Sequence, residues 1–172
     1  MVRSHMKTVS AFIALGSNLG RSVAIISQAI ARLQSLSSAP LLKSSLWQST
    51  PVDCPPGSPA FVNAVVGLVS GRDETPESLL EKLQQLEKEF GRQPKKILNE
   101  ARPLDLDLIA FGNEIRSSEK LTLPHPRAHE RRFVLQPLSE IAPNLVLPGK
   151  EMSVRKLLET LATEEVLERI EA

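Results

Sequence analysis

The chain has 172 residues, 41% hydrophobic and 24% charged, a length suited to one ordinary globular domain and a composition far from that of a disordered chain. Lys plus Arg number 21 against 20 Asp plus Glu, a formal charge of +1, which argues against a general nucleic-acid or anionic-membrane binder, since those carry a basic surplus. Cys54 is the only cysteine, which excludes an intramolecular disulfide or a cysteine-based zinc site and fits a reducing, cytoplasmic setting.

Residues 1–6 lack the apolar stretch of a signal peptide and read as a cloning remnant, with Met6 the expected native start. No apolar run approaches the ~20 residues that span a bilayer. Residues 9–15 form a short apolar run closed by Gly16, Asn18 and Gly20, a buried strand meeting a tight turn. Over 21–36, Val23, Ile26, Ala29, Ile30 and Leu33 recur with the helical period. A weaker strand signal covers 41–49. The stretch 51–59 is too rich in Pro and Gly for regular structure.

Residues 61–69 read as a strong strand. The clearest helix covers 76–90: Thr75 can cap it, Pro76 suits its first position, and Leu79, Leu80, Leu83, Leu86 and Phe90 form its apolar stripe. A second irregular loop over 92–103 carries Arg92, Lys95, Lys96 and Arg102. Residues 104–111 are a further strand, and Gly112-Asn113 reads as a hairpin turn into Glu114-Ile115. Helices are expected over 128–136 and 153–161, with a frayed tail over 163–172. This order is that of an α+β, ferredoxin-like sandwich, a mainly antiparallel sheet with helices on one face. The two long loops become insertions, and long structureless loops in compact domains are often functional.

Leu104-Asp-Leu-Asp-Leu108 carries the sharpest chemical signal. Residues two apart on a strand share a face, so Asp105 and Asp107 project together while the leucines point into the core. Paired carboxylates can hold one or two Mg²⁺, a hard cation often shared with substrate phosphates. The plain alternative is an exposed strand face that happens to be acidic. Arg92, Lys95, Lys96 and Arg102 before the pair, and His125, Arg127, Arg131 and Arg132 after it, supply groups that match phosphate oxygens. Carboxylates with converging arginines point to phosphoryl-type chemistry, which is mostly positioning and charge neutralisation. Trp47, Phe61 and Phe133 suit core packing, or as a set could stack on a flat heterocycle whose edge Asn63 reads. The segment 16–20 lacks the Lys of a P-loop, so a plain strand-to-helix turn is favoured there.

Taken in order, A-L-G-S-N-L-G over 14–20, S-T-P-V over 49–52, F-V-N-A over 61–64, R-P-L-D-L-D-L over 102–108 and L-P-H-P-R-A-H-E-R-R-F over 123–133 closely resemble the 6-hydroxymethyl-7,8-dihydropterin pyrophosphokinase family of folate biosynthesis. The resemblance runs over about residues 9–160 and implies one pyrophosphokinase domain over 7–172. It implies transfer of the β,γ-diphosphate of ATP, the co-substrate, to the hydroxymethyl oxygen of the pterin, with release of AMP. Asp105 and Asp107 would hold two Mg²⁺ ions. Ser49, Thr50, Pro51, Val52, Phe61, Asn63 and Phe133 fall where the family binds pterin. Gln84, Glu87, Arg92, Leu108, Lys120, Thr122, His125 and Arg131 fall where it binds ATP, and Arg92 and Arg102 would reach the phosphates during transfer. The implied partners are small-molecule substrates, with no nucleic acid or membrane, and a monomer is expected. Two other classes fit the residues alone: a nucleotidyl-transfer enzyme, which would release pyrophosphate, and a nucleotide- or RNA-binding module. Against the module stand the near-zero charge and the absence of the aromatic sheet motif of RNA-recognition domains.

Overall fold

The computed structural model describes residues 10–18, 21–49, 60–91 and 103–170. Ala11–Ser17 forms β1, whose first five residues are all buried. A strand without polar alternation needs cover on both faces of its sheet. After β1, α1 (Ser22–Gln34) turns Ile26, Ala29 and Leu33 inward. The strand expected over 41–49 is broken into β2 (Leu42–Lys43) and β3 (Trp47–Ser49). The break falls at Ser44, whose Oγ accepts the Val65 amide at 2.9 Å and so diverts a main-chain donor. β4 (Phe61–Leu68) is buried over all but its first residue.

α2 (Pro76–Glu89) starts where the sequence indicates. Thr75 Oγ1 accepts the Ser78 amide at 3.0 Å, and the Thr75 amide donates to Ser78 Oγ at 2.9 Å, a reciprocal capping box with Pro76 in the first turn. β5 (Asp105–Phe111) follows. Gly112, at φ +53°, reverses the chain as expected. The next strand, β6 (Arg116–Ser117), however, pairs with β7 (Thr122–Leu123) in a small separate hairpin and not with β5. The helix expected over 128–136 begins as a 3-10 turn, Ala128–Glu130, and continues as α3 (Arg132–Ile141). α4 (Val154–Thr160) is capped by Ser153. The tail expected to fray instead forms β8 (Leu167–Arg169), antiparallel to β3.

The main sheet has the order β5-β1-β4-β3-β8, with β2 also on β4, and every pairing is antiparallel. Counting β2 and β3 as one interrupted strand, β1-α1-β2/β3-β4-α2-β5 is the ferredoxin-like order. One sheet face carries Ile13, Leu15, Ala64, Val66, Leu106 and Leu108, packed with Ile26, Leu33, Leu79 and Leu83 of α1 and α2. The other carries Phe12, Ala14, Val65 and Ile109, packed with Val134, Leu135 and Leu138 of α3 and Val154 and Leu157 of α4. Helices therefore cover both faces, not one. Apolar residues on both parities of β1 and β4 are the reason, since either face left bare would expose a hydrophobic sheet.

Candidate functional site

The site lies on the α3 face of the sheet. The register aligns Trp47 with Asn63, Asn63 with Gly16, and Gly16 with Asp105; one step along, Val65, Ala14 and Asp107 form the next row. Directly opposed residues share a face, so Asn63 and both aspartates look out on the same side. Neighbouring strands lie about 4.8 Å apart, which puts Asn63 and Asp105 roughly 10 Å from one another across Gly16. Gly16 lacks a side chain in this row. A β-carbon there would meet Asn63 Oδ1 at 3.5 Å and the Phe61 ring at 3.8 Å, so the glycine leaves the space between Asn63 and Asp105 open.

Asn63 is 3% exposed and donates from Nδ2 to Ser49 Oγ at 2.7 Å. That bond fixes the amide's orientation and ties β4 to β3 at the edge of the site. Asp105 and Asp107 are half-buried, between the buried Leu104, Leu106 and Leu108. The sheet register shifts between Phe12 and Ile13 and leaves Ile109 unpaired with β1, a bulge that turns the strand just beyond the aspartates. The Ile109 carbonyl accepts the His125 amide at 2.8 Å. Nearer the aspartates, Glu87 of α2, itself 8% exposed, accepts the Leu106 amide at 2.8 Å. The outer edge of β5 is thus held from two sides, with Leu106 fixed between the two carboxylates.

His125 Nδ1 accepts the Arg127 amide at 3.2 Å, which leaves the proton of the neutral ring on Nε2. Burial pushes its pKa down, the nearby Arg131 and Arg127 charges add to that, and Asp105 opposes it. His125, Arg131 and Asp105 are therefore electrostatic neighbours. Arg131 lies over the Phe133 ring, 5.4 Å from its centroid, in a cation–π contact. Both flank the start of α3, which is anchored at its far end by Glu140: its carboxylate accepts Trp47 Nε1 at 2.7 Å, Ser45 Oγ at 2.7 Å and the Ser45 amide at 3.1 Å.

Of the residues singled out in the sequence, Ser49, Phe61, Asn63, Asp105, Asp107, His125, Arg131 and Phe133 gather around this face. Gln84, Lys120 and Thr122 are exposed, the last two on the hairpin that packs along β5 through β7. The Leu108 side chain belongs to the α1/α2 core, so its backbone alone is available to a ligand. Thr50, Pro51, Val52, Arg92 and Arg102 lie outside the described residues. Gly16, taken in the sequence for part of a plain turn, is a central position of the site. A glycine ending an apolar strand run is the sign of close approach that marks it.

Fold and site together define a class: an antiparallel α+β sandwich of ferredoxin-like order, with paired carboxylates and neighbouring cations at one end of a sheet face. Residues 12–143 match the family model for 7,8-dihydro-6-hydroxymethylpterin-pyrophosphokinase (HPPK). The chain is 41% identical over 145 residues to 2-amino-4-hydroxy-6-hydroxymethyldihydropteridine pyrophosphokinase of Haemophilus influenzae, covering 84% of this chain and 88% of that one. It is 39% identical over 132 residues to the Bacillus subtilis protein of the same name, covering 76% and 77%. Among solved structures, an HPPK-DHPS in complex with substrates superposes with a TM-score of 0.68 at 12% identity, over 89% of this chain and 45% of that one. Wild-type Plasmodium falciparum HPPK-DHPS with SDX-DHP gives 0.67 at 13% identity, over 91% and 45%. These likenesses concern the fold, and this chain spans less than half of either solved chain. The chain belongs to the 7,8-dihydro-6-hydroxymethylpterin-pyrophosphokinase family.

Proposed function

We propose that this chain transfers the β,γ-diphosphate of ATP to the hydroxymethyl group of 6-hydroxymethyl-7,8-dihydropterin, giving the pterin diphosphate and AMP, in folate synthesis. Family membership supports the reaction class. The observation that carries the residue assignment is the row Asn63, Gly16, Asp105. It sets a fixed amide and a carboxylate pair on one face with an open floor between them. A flat bicyclic ring over Gly16 has Asn63 at its edge, with Phe61 and Phe133 as stacking partners. Ser49 orients Asn63, and Thr50, Pro51 and Val52 complete the ring's edge. The hydroxymethyl arm then points toward Asp105 and Asp107.

Hydroxyl oxygen attacks Pβ, an O–Pβ bond forms, the bond from Pβ to the α-phosphate oxygen breaks, AMP leaves with that oxygen, and the hydroxyl proton passes to solvent. Such transfer depends on positioning and charge neutralisation and needs no strong protein base. Gln84, Glu87, Leu108, Lys120, Thr122, His125 and Arg131 are the residues we assign to ATP. His125 contributes a neutral Nε2–H donor and Arg131 a fixed charge. Arg92 and Arg102 are assigned to the phosphates in the act of transfer.

Mg²⁺, as two ions, is the cofactor of this reading, with Asp105 and Asp107 as its protein ligands. The donor set fits: Asp105 and Asp107 present two hard carboxylate groups on one face of β5. Mg²⁺ takes such a partial protein shell and fills the rest with water and substrate phosphate. When bound, the ions neutralise triphosphate charge.

Among the described residues no helix is long and apolar enough to cross a membrane. The exposed large apolar side chains, such as Val23, Ile115 and Val166, are spread over separate segments. The lone cysteine suits a reducing compartment, and we assign the chain to the cytoplasm as a monomer.

Chromatographic product analysis tests the reading. With ATP, Mg²⁺ and the pterin present together, AMP and pterin diphosphate appear one for one, and omission of magnesium or pterin abolishes both. Release of ADP or of pyrophosphate would overturn the proposed transfer in favour of another phosphoryl or nucleotidyl reaction.

A further inference from the structure

The C-terminal segment, which the sequence presents as a charged tail, touches two walls of the proposed pterin subsite. The first contact is at α3. Its N-cap, Arg131, offers no side-chain cap, and its first turn holds no acidic residue. Helix starts leave unpaired N–H groups that favour a negative acceptor. Glu165 supplies one from 33 residues away: its Oε2 accepts the Arg132 amide at 2.8 Å. Glu165 is held in turn by a 3.2 Å bond from its own amide to Thr163 Oγ1. The amide so capped belongs to the residue between Arg131 and Phe133.

The second contact is at β3. Leu167 aligns with Ser49 and Arg169 with Trp47, and the Ile170 amide donates to the Leu46 carbonyl at 2.8 Å. Ile170 then packs on the α1/α2 core. β8 therefore removes the free edge of the strand that holds Ser49, the acceptor of the Asn63 amide.

We propose that Glu165 is a positioning residue for substrate binding: by capping α3 from the tail, it holds Arg131 and Phe133 against the face that carries Asn63, while β8 holds Ser49. This rests on the pterin reading of that face. Glu165 touches no reacting atom and acts through the start of α3. Its removal frees the first turn of α3, which loosens the stacking ring and the cation beside it without changing the groups that carry the transfer.

The test compares wild type with Glu165→Ala and Glu165→Gln, the latter keeping an oxygen that can accept the Arg132 amide. Glu164→Ala, on the exposed neighbour, serves as control. For E165A the pterin KM rises about five- to tenfold, the ATP KM rises by a smaller factor through Arg131, and kcat stays within about twofold. E165Q returns the pterin KM most of the way to wild type, and hydrogen exchange at the Arg132 amide speeds up in E165A but not in E164A. An unchanged pterin KM in E165A overturns the proposal. So does a lower melting temperature with both KM values unchanged, which would make Glu165 a residue of folding alone. Wild-type chain that turns over no pterin, yet shows the same exchange difference at Arg132, would leave the cap in place and overturn the functional reading on which the proposal rests.

Discussion

Asp107 sits between buried leucines on β5, facing the same way as Asp105 and paired through its backbone with Ala14. Because the backbone makes the sheet, Asp107→Ala keeps the fold and removes one proposed metal ligand. Turnover should fall by about a thousandfold or more, with an unchanged circular dichroism spectrum. Activity within about tenfold of wild type would mean that the carboxylate pair does not hold the ion. His125 gives a prediction of a different kind. Burial and the Arg131 and Arg127 charges hold its pKa below the ordinary value, against the pull of Asp105. An unfolded chain binds that proton first as pH falls. The stability linked to neutral His125 is thus complete above about pH 6.5 and is lost as pH drops from there toward the lowered folded value. His125→Gln should flatten this fall. Urea midpoints measured from pH 7.5 down to about 5 should converge less steeply in the variant, and parallel curves would refute the assignment.

At the scale of elements, α2 and α3 are fixed by different kinds of contact. α2 is set locally by the Thr75–Ser78 capping box, and its far end reaches β5 through the Glu87 bond to Leu106. Thr75→Ala removes the local cap and should cost about 1 kcal/mol. A thermal melt should show that as a drop of about 2–4 °C for a chain of this size, with the pterin KM unaffected because the cap lies at the end of α2 away from Glu87. α3, by contrast, is fixed by distant parts of the chain, Glu165 at its start and the Trp47–Ser45 corner through Glu140 at its end. The bulge at Ile109 works at the same scale, since it interrupts the pairing of β5 with β1 where His125 docks, before Ala110 and Phe111 resume it. Site geometry therefore comes from bonds between elements more than from any one element.

For the whole molecule, the main consequence of the architecture is that two apolar layers share one sheet. Neither layer can be lost alone, because the strands that hold the first also hold the second. Leu83→Ala in the α1/α2 layer and Leu138→Ala in the α3/α4 layer each delete a fully buried side chain and should each cost about 2–5 kcal/mol. Both should lower one shared transition. Trp47, the single tryptophan, reports on the β3–α3 corner, so its fluorescence and the far-ultraviolet dichroism should unfold at the same urea concentration. Separate transitions would show that the two layers fold independently.

Local patterning made much of this legible in the sequence. The helical period located α1 and α2, Thr75 and Pro76 marked a cap, and the alternation of Leu104 to Leu108 put both aspartates on one strand face. These are short-range properties, set by the rise of a strand and the turn of a helix. Even the two-sided cover was encoded, since β1 reads apolar at five successive positions, although the sequence does not say which helices provide it. Only the tertiary structure decided the cross-strand register, and with it the meeting of Asn63, Gly16 and Asp105. It also decided the break of the second strand at Ser44 and the placement of Glu165 and β8. Such contacts join residues far apart in the chain, and their partners are chosen by which surfaces pack together, a choice that no local period records.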